Sequence, residues 1–211
     1  MLIDQPIKPD LTLANISVIR GQKLIIDKVC FSVPAGGICV LQGPNGAGKT
    51  SLLRVIAGFL PNSAGVLMLG AHLFSPLKST LPIWYIGAPY GFHPNLSARK
   101  NLVQIATMRG LSLPEEDIFH INDFTEQPIR TLSSGQLQRL ALSQLCLQSS
   151  NQSPALWLLD EPNSALDSSH CLILETLIED HIRKGGRVIA SAHQTLCKHL
   201  SPEIIQLEIL K

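Results

Sequence analysis

The chain has 211 residues, 45% of them apolar, and a formal net charge of +1. That is enough apolar material for one packed domain and argues against disorder. No apolar run approaches the ~18 residues needed to span a bilayer, and the near-neutral balance supplies no basic stripe for nucleic acid. The start, Met1-Leu2-Ile3-Asp4-Gln5-Pro6, has neither the basic and apolar regions of a secretory signal nor the Arg- and Ser-rich character of a transit peptide.

The first elements in chain order are β strands. Leu11 and Leu13, then Ile16 and Val18, suggest a strand with a break, and Gly21 marks a hairpin. Val29, Phe31 and Val33 alternate before the turn Pro34-Ala35-Gly36-Gly37. These strands predict an antiparallel β lobe over about residues 1–37. Ile38-Cys39-Val40-Leu41 is a short buried strand, and Ser51–Ala57 has a helical pattern.

Between that strand and helix stands Gly43-Pro44-Asn45-Gly46-Ala47-Gly48-Lys49-Thr50. Strand, glycine-rich loop, helix is the context a phosphate-binding loop requires. Without Cβ atoms, the glycines let backbone N–H groups turn inward to cradle phosphates at the positive helix end. The run Gly43 to Ser51 is therefore the expected nucleotide site. Lys49 is expected to reach the β- and γ-phosphates, and the Thr50 hydroxyl to bind Mg²⁺.

Beyond the helix, Val66–Leu69 and Ile83–Ile86 read as strands, with residues 71–82 irregular between them. Residues 97–146 look mostly helical. Ser97 is a candidate N-cap for a helix stopping at Gly110, and Ser112 with Glu115 resembles a capping box. A further helix follows Ser133-Ser134-Gly135, with Leu137, Leu140, Ala141 and Leu145 on one face. On its own this start reads as an ordinary capped helix; Ser133 and the free N–H groups there, with Gly135 and Gln136, also make a second candidate anion site.

After the loop Asn151–Pro154, Ala155–Leu159 is a buried parallel strand by composition. It ends in Asp160-Glu161, at the edge of the sheet where the phosphate loop also opens. Asp160 suits Mg²⁺, and Glu161 is placed to orient and deprotonate an attacking water. A helix from Ser168 is expected to turn Leu172, Leu174, Leu177, Ile178 and Ile182 inward and to end at Gly185-Gly186. Val188-Ile189-Ala190 is another core strand. His193 follows it, leaving the same edge as Lys49 and Asp160, where an imidazole can donate to a γ-phosphate or hold the water. Ile205, Leu207 and Ile209 alternate in a closing strand. The five cysteines, Cys30, Cys39, Cys146, Cys171 and Cys197, show no metal spacing and read as reduced, buried or half-buried thiols.

Taken together, Gly43–Thr50, Ser133–Gln136, Leu158–Pro162, Ser164–Asp167 and His193 resemble the Walker A, signature, Walker B, D-loop and switch-histidine motifs of an ABC transporter ATPase domain. They stand in that family's order, and the resemblance covers nearly the whole chain. It implies an α/β fold: a P-loop (RecA-like) ABC ATPase core with an N-terminal antiparallel β lobe and a short helical insert. It implies one domain over residues 1–211, with the insert at about 88–150. The runs Trp157–Pro162, Gly185–Ile189, Ala192–Leu196, Tyr85-Ile86-Gly87 and Leu96-Ser97-Ala98 are similar to the haem-exporter ATP-binding subunits of c-type cytochrome maturation, the CcmA type. That likeness implies ATP and Mg²⁺ as ligands, a homodimer with two nucleotides sandwiched, and separate transmembrane permease subunits. It places the chain at the cytoplasmic face of the inner membrane, or the matrix face if organellar. It implies hydrolysis driving a step of haem export or delivery. No nucleic-acid partner and no haem site are expected in this chain.

Four positions depart from the family pattern, one of them Gly37, which stands where Glu is common and is assigned no function. Ala88 stands where most members carry a glutamine that touches Mg²⁺ and senses the membrane partner, and alanine can neither ligate nor donate. Either Tyr90 or His93 substitutes, or hydrolysis and coupling are weak. His93 itself reads as an exposed loop residue. No aromatic precedes Cys30 to stack on adenine, so Arg20 either stacks its guanidinium plane on the base instead or is a solvated turn charge. Ser134 replaces a signature glycine. These departures keep a second reading open: a nucleotide-gated assembly or regulatory subunit with little hydrolysis. An ATPase of an exporter with another substrate also stands. A DNA-repair or translation-type ATPase needs a long insert or a tandem domain that 211 residues do not hold.

Overall fold

In the computed structural model, residues 9–147, 154–193 and 196–210 are described. The readings of the first eight residues, the end of the insert and the loop at 148–153, and Gln194-Thr195 lie outside them. Two sheets make up the frame. The first is antiparallel: β1 (Leu11–Arg20), β2 (Lys23–Val33), β4 (Ala64–Leu69) and β5 (His72–Leu73), in the order β2-β1-β4-β5. The second is parallel: β3 (Ile38–Gln42), β6 (Ile83–Ile86), β7 (Leu156–Asp160), β8 (Arg187–Ser191) and β9 (Glu203–Gln206), in the order β6-β7-β8-β3-β9. The antiparallel sheet thus draws two strands from beyond residue 37.

The break expected in β1 is a bulge. Asn15 has φ 53°, and the β1–β2 register shifts between Leu13 and Ile16. One extra residue returns Ile16 and Val18 to the buried face that Leu11 and Leu13 occupy.

Side chains alternate along the parallel strands and divide the interior in two. On one face, Cys39 and Leu41, Leu156 and Leu158, and Ile189 pack with Leu52, Leu53 and Ile56 of α1 (Lys49–Ile56) and with β1 and β2. The first helix is therefore held between the two sheets. On the other face, Ile38 and Val40, Trp157 and Leu159, and Val188 and Ala190 join Leu102 of α2 (Ala98–Arg109) and Leu140 of α3 (Ser134–Ser143). Leu174 and Ile178 of α4 (Ser168–Arg183) belong to the same cluster.

The helix signals read from the sequence hold at α2, where the Ser97 Oγ accepts from the Lys100 N–H at 3.3 Å and the chain turns out at Gly110, φ 63°. Four readings, two of them of helices, do not hold. No helix opens at Ser112: in a Ser112 cap, Leu113 would be the first helical residue, and the following Pro114 disfavours the α conformation there. Residues 112–133 instead carry only two short 3₁₀ turns, Ile121–Phe124 and Ile129–Thr131. Leu172 is 66% exposed, not buried, because a residue two positions from Leu174 falls on the opposite side of a 3.6-residue turn. The closing strand stops at Gln206, so Leu207 is buried but Ile209 is 52% exposed. Among the cysteines Cys30 is exposed, since in β2 it alternates with the inward Val29 and Phe31.

One fold feature has a pH signature. The His181 ring stacks on Trp157 with centroids 3.6 Å apart and 7° between planes, and its Nε2 lies 2.9 Å from the Ala155 carbonyl oxygen. Gly186 leaves room for it; a Cβ there would lie 2.1 Å from Nε2. Burial lowers the His181 pKa to about 4. The unfolded chain binds this proton more readily, so the contribution is complete above about pH 6.5 and is lost as pH falls towards 4. The full loss is about 3 kcal/mol. In urea unfolding, His181→Phe is expected to flatten the stability slope between pH 6.5 and 4; an unchanged slope would count against this assignment.

Candidate functional site

The phosphate loop joins β3 to α1. Gly43, Gly46 and Gly48 have φ of 145°, 87° and 96°, conformations that only glycine holds cheaply. At Gly48 a Cβ would also lie 2.8 Å from Ile26 of the hairpin. Gly48 caps α1 without a side-chain hydrogen bond, and the first turn carries no acid. The helix start is thus open to an anion. Lys49 is 6% exposed, and its ammonium donates to the carbonyls of Gly43 at 2.7 Å and Pro44 at 3.2 Å. The carbonyls hold the charge over the loop, where a phosphate is a stronger acceptor.

A cleft of about 390 Å³ opens over this loop, lined by Asn45, Gly46, Gly48, Lys49, Thr50 and Ser51. Arg20 and Ile25 of the β1–β2 hairpin wall its far end, and Glu161 borders it from β7. The candidates for phosphate, base and water chemistry therefore share one space.

Asp160 ends β7 between two neighbouring strands. Ser191 of β8 donates from Oγ to its Oδ1 at 2.6 Å, and Tyr85 of β6 donates from its hydroxyl to Oδ2 at 3.4 Å. Burial raises the Tyr85 pKa, which keeps that donor protonated. Arg54 of α1 ties the group together: Nε lies 3.4 Å from the Tyr85 oxygen, and Nη2 donates to the Ala88 carbonyl at 3.2 Å. Glu161 turns out of the strand at φ 49°, a left-handed conformation that costs a non-glycine residue roughly 1 kcal/mol. Its Oε1 lies 3.3 Å from His193 Nε2. A carboxylate beside an imidazole at a strand edge can hold and deprotonate a water.

Ser133 and Gln136 build a reciprocal cap on α3. The Ser133 Oγ accepts from the Gln136 N–H at 3.2 Å, and Gln136 Oε1 accepts from the Ser133 N–H at 2.9 Å. Both side chains read as anion ligands serve the helix end first. They line a second cleft of about 190 Å³ with Gly135, Arg139, Ala165, Leu166, Asp167 and His170. It shares no residue with the first.

Ala88 is exposed and offers only its backbone. Of the two substitutes considered, Tyr90 directs its hydroxyl to Gln138 Oε1, and Gln138 Nε2 donates to the Pro162 carbonyl at 2.7 Å. His93 is exposed and folds on its own loop, accepting from the Asn95 N–H at 3.4 Å. Neither forms a hydrogen bond to Asp160, but burial and then the nearby Asp160 charge raise the Tyr90 pKa.

Sequence reading missed Ser191, Tyr85, Arg54, Gln138 and His170. Ser191 carries a faint signal, as the one hydroxyl in a buried apolar strand. His170 carries a better one: Asp167-x-x-His170 at a helix start brings the ring Nδ1 within 2.9 Å of the carboxylate, while its Nε2 lies 3.4 Å from Arg139. Hydrogen bonds from Ser169 and from the His170 backbone and ring hold the Asp167 carboxyl below its usual range.

The sequence matches the ABC transporter family over residues 26–164. It is 36% identical over 196 residues to the cytochrome c biogenesis ATP-binding export protein CcmA of Cupriavidus pinatubonensis, covering 89% of this chain and 85% of that protein. It is 32% identical to the Reclinomonas americana protein of the same name, covering 89% and 86%. Among solved structures, a bacterial ABC transporter cassette in dimeric form superposes with a TM-score of 0.74 at 19% identity, covering 95% of this chain and 97% of that one. An ABC transporter ATP-binding protein from Pyrococcus furiosus superposes with a TM-score of 0.73 at 21% identity, covering 94% and 97%. The chain belongs to the ABC transporter family and is an ATP-hydrolysing subunit of the CcmA type.

Proposed function

We propose that two copies of this chain close on two ATP molecules and that hydrolysis drives a step of haem export or delivery in c-type cytochrome maturation. Residues 1–211 act as one ATPase domain, bound peripherally at the cytoplasmic face of the inner membrane to permease subunits on separate chains. No helix among the described residues is long and apolar enough to cross a membrane. One observation carries the dimer: Lys49 and Glu161 line one cleft, while Ser133 and Gly135 line another. A single chain presents each half of an ATP sandwich on a different surface.

In this reading Gly43–Ser51 holds the phosphates, Lys49 meets the β- and γ-phosphates, and Arg20 stacks its guanidinium on the base. Ser133, Gly135 and Gln136 of one copy face the γ-phosphate in the other. Glu161 takes the proton of the attacking water, and His193 holds Glu161 and the water in register. The donor set offered to Mg²⁺, the Asp160 carboxylate and Thr50 hydroxyl, is hard oxygen, which suits an ion completed by substrate phosphates and water. When bound, Mg²⁺ neutralises charge developing on those phosphates.

The names of the relatives support cytochrome c biogenesis and export, and haem is the cargo proposed here. The test is genetic: loss of the chain is expected to abolish haem-containing c-type cytochromes, with rescue by the native chain and not by Glu161→Gln. Rescue by Glu161→Gln would favour the second reading, a nucleotide-gated regulatory subunit with little turnover.

Ala88 motivates that second reading. Ala88→Gln is expected to raise Mg²⁺-dependent turnover of the reconstituted complex about tenfold if the missing carboxamide limits the metal site. No change would mean that the Asp160 cluster already fills the role.

A further inference from the structure

Ser191 is the final residue of β8, is fully buried, and pairs with Asp160 across the parallel β7–β8 ladder. The other residues of that strand interior, Val188, Ile189 and Ala190, are apolar. A hydroxyl in such a strand is costly unless both its donor and its acceptor are used. Both are used here, and both on the proposed catalytic pair. The Ser191 Oγ donates to Asp160 Oδ1 at 2.6 Å and accepts from the Glu161 N–H at 2.9 Å. The same N–H lies 3.2 Å from the Ser191 carbonyl oxygen.

We infer that Ser191 is a positioning residue that sets the Asp160 carboxylate for Mg²⁺ and the Glu161 turn for the attacking water through one hydroxyl. This inference rests on the reading of Asp160 as the metal carboxylate. The first bond fixes the rotation of the carboxylate and leaves Oδ2 facing Tyr85 on the other flank. The second pins the peptide at the residue with φ 49°, the turn that brings Glu161 Oε1 to within 3.3 Å of His193 Nε2. Loss of the hydroxyl frees the carboxylate and leaves the Glu161 N–H only its longer bond to the Ser191 carbonyl. Neither Ala190 nor Ala192 carries a polar group that could replace it.

The experiment uses the full chain, a fluorescent ATP analogue and Mg²⁺ titrated from zero, followed by turnover in the reconstituted complex. Ser191→Ala is expected to raise the Mg²⁺ concentration for half-maximal enhancement of analogue binding by about 10–100-fold and to lower kcat by a similar factor. Affinity for the analogue without Mg²⁺ and the melting temperature are expected to stay near those of the native chain. Ser191→Thr, which keeps the hydroxyl, is expected to recover most of the Mg²⁺ response. An unchanged Mg²⁺ midpoint in Ser191→Ala overturns the inference. So does an equal loss of binding with and without Mg²⁺, since that marks a residue needed only for folding. If the native chain shows no Mg²⁺ response, the reading of Asp160 fails first, and that outcome is distinct from a Ser191 result.

Discussion

Glu161→Gln is expected to lower ATP turnover by about 10²–10⁴-fold while ATP affinity stays within a few-fold of the native value. The substitution keeps the length and shape of the side chain and removes the group able to accept a proton. The cleft over the phosphate loop is bordered by Glu161 but floored by Gly46, Gly48, Lys49 and Thr50, which the change leaves in place. The Glu161 N–H still reaches Ser191, because that bond is made by the backbone. Turnover is measured in the reconstituted complex and affinity on the isolated chain. Turnover within tenfold of native would remove Glu161 from its role as base and move attention to His193.

Lys49→Ala is expected to weaken ATP binding at least a hundredfold, about 3 kcal/mol, with little remaining selectivity for ATP over ADP. The physical reason is local. Lys49 and Arg187 are the buried Lys and Arg side chains among the described residues, and the Lys49 ammonium is aimed into the loop by the Gly43 and Pro44 carbonyls. A charge-assisted bond to phosphate is about twice as strong as a neutral one, and the site excludes part of the water that would screen it. Lys49→Met, which keeps most of the volume, should lose as much affinity and so separates lost charge from lost packing. Native-like affinity in either variant would place the phosphates elsewhere.

Much of this architecture was legible because its signals are local. The loop at Gly43–Thr50, the caps at Ser97 and Ser133, and the buried strands ending in Asp160 and Ser191 each depend on a few adjacent residues. What was hidden depends on pairings between distant strands. Ser191 meets Asp160 only because β8 lies beside β7 in this register, and Tyr85 only because β6 lies on the other side. No spacing in the chain carries that order. The capping box read at Ser112 failed against a proline two residues on, and Leu172 against helix periodicity. Both corrections were available in the sequence and required weighing one local rule against another. The departures at Ala88 and Arg20 were also visible there. The structure adds that Ala88 is held by Arg54 through its carbonyl and that the Tyr90 hydroxyl engages Gln138.

The central claim is that each ATP is enclosed by Gly43–Thr50 of one copy and Ser133–Gln136 of another. The direct measurement is the mass of the Glu161→Gln chain in solution, by light scattering or sedimentation, with saturating Mg²⁺-ATP, with ADP and without nucleotide. A dimer with ATP alone is predicted, and Ser133→Arg should return it to a monomer that still binds ATP. A chain that binds ATP tightly yet stays monomeric, or a dimer indifferent to Ser133→Arg, would contradict the account.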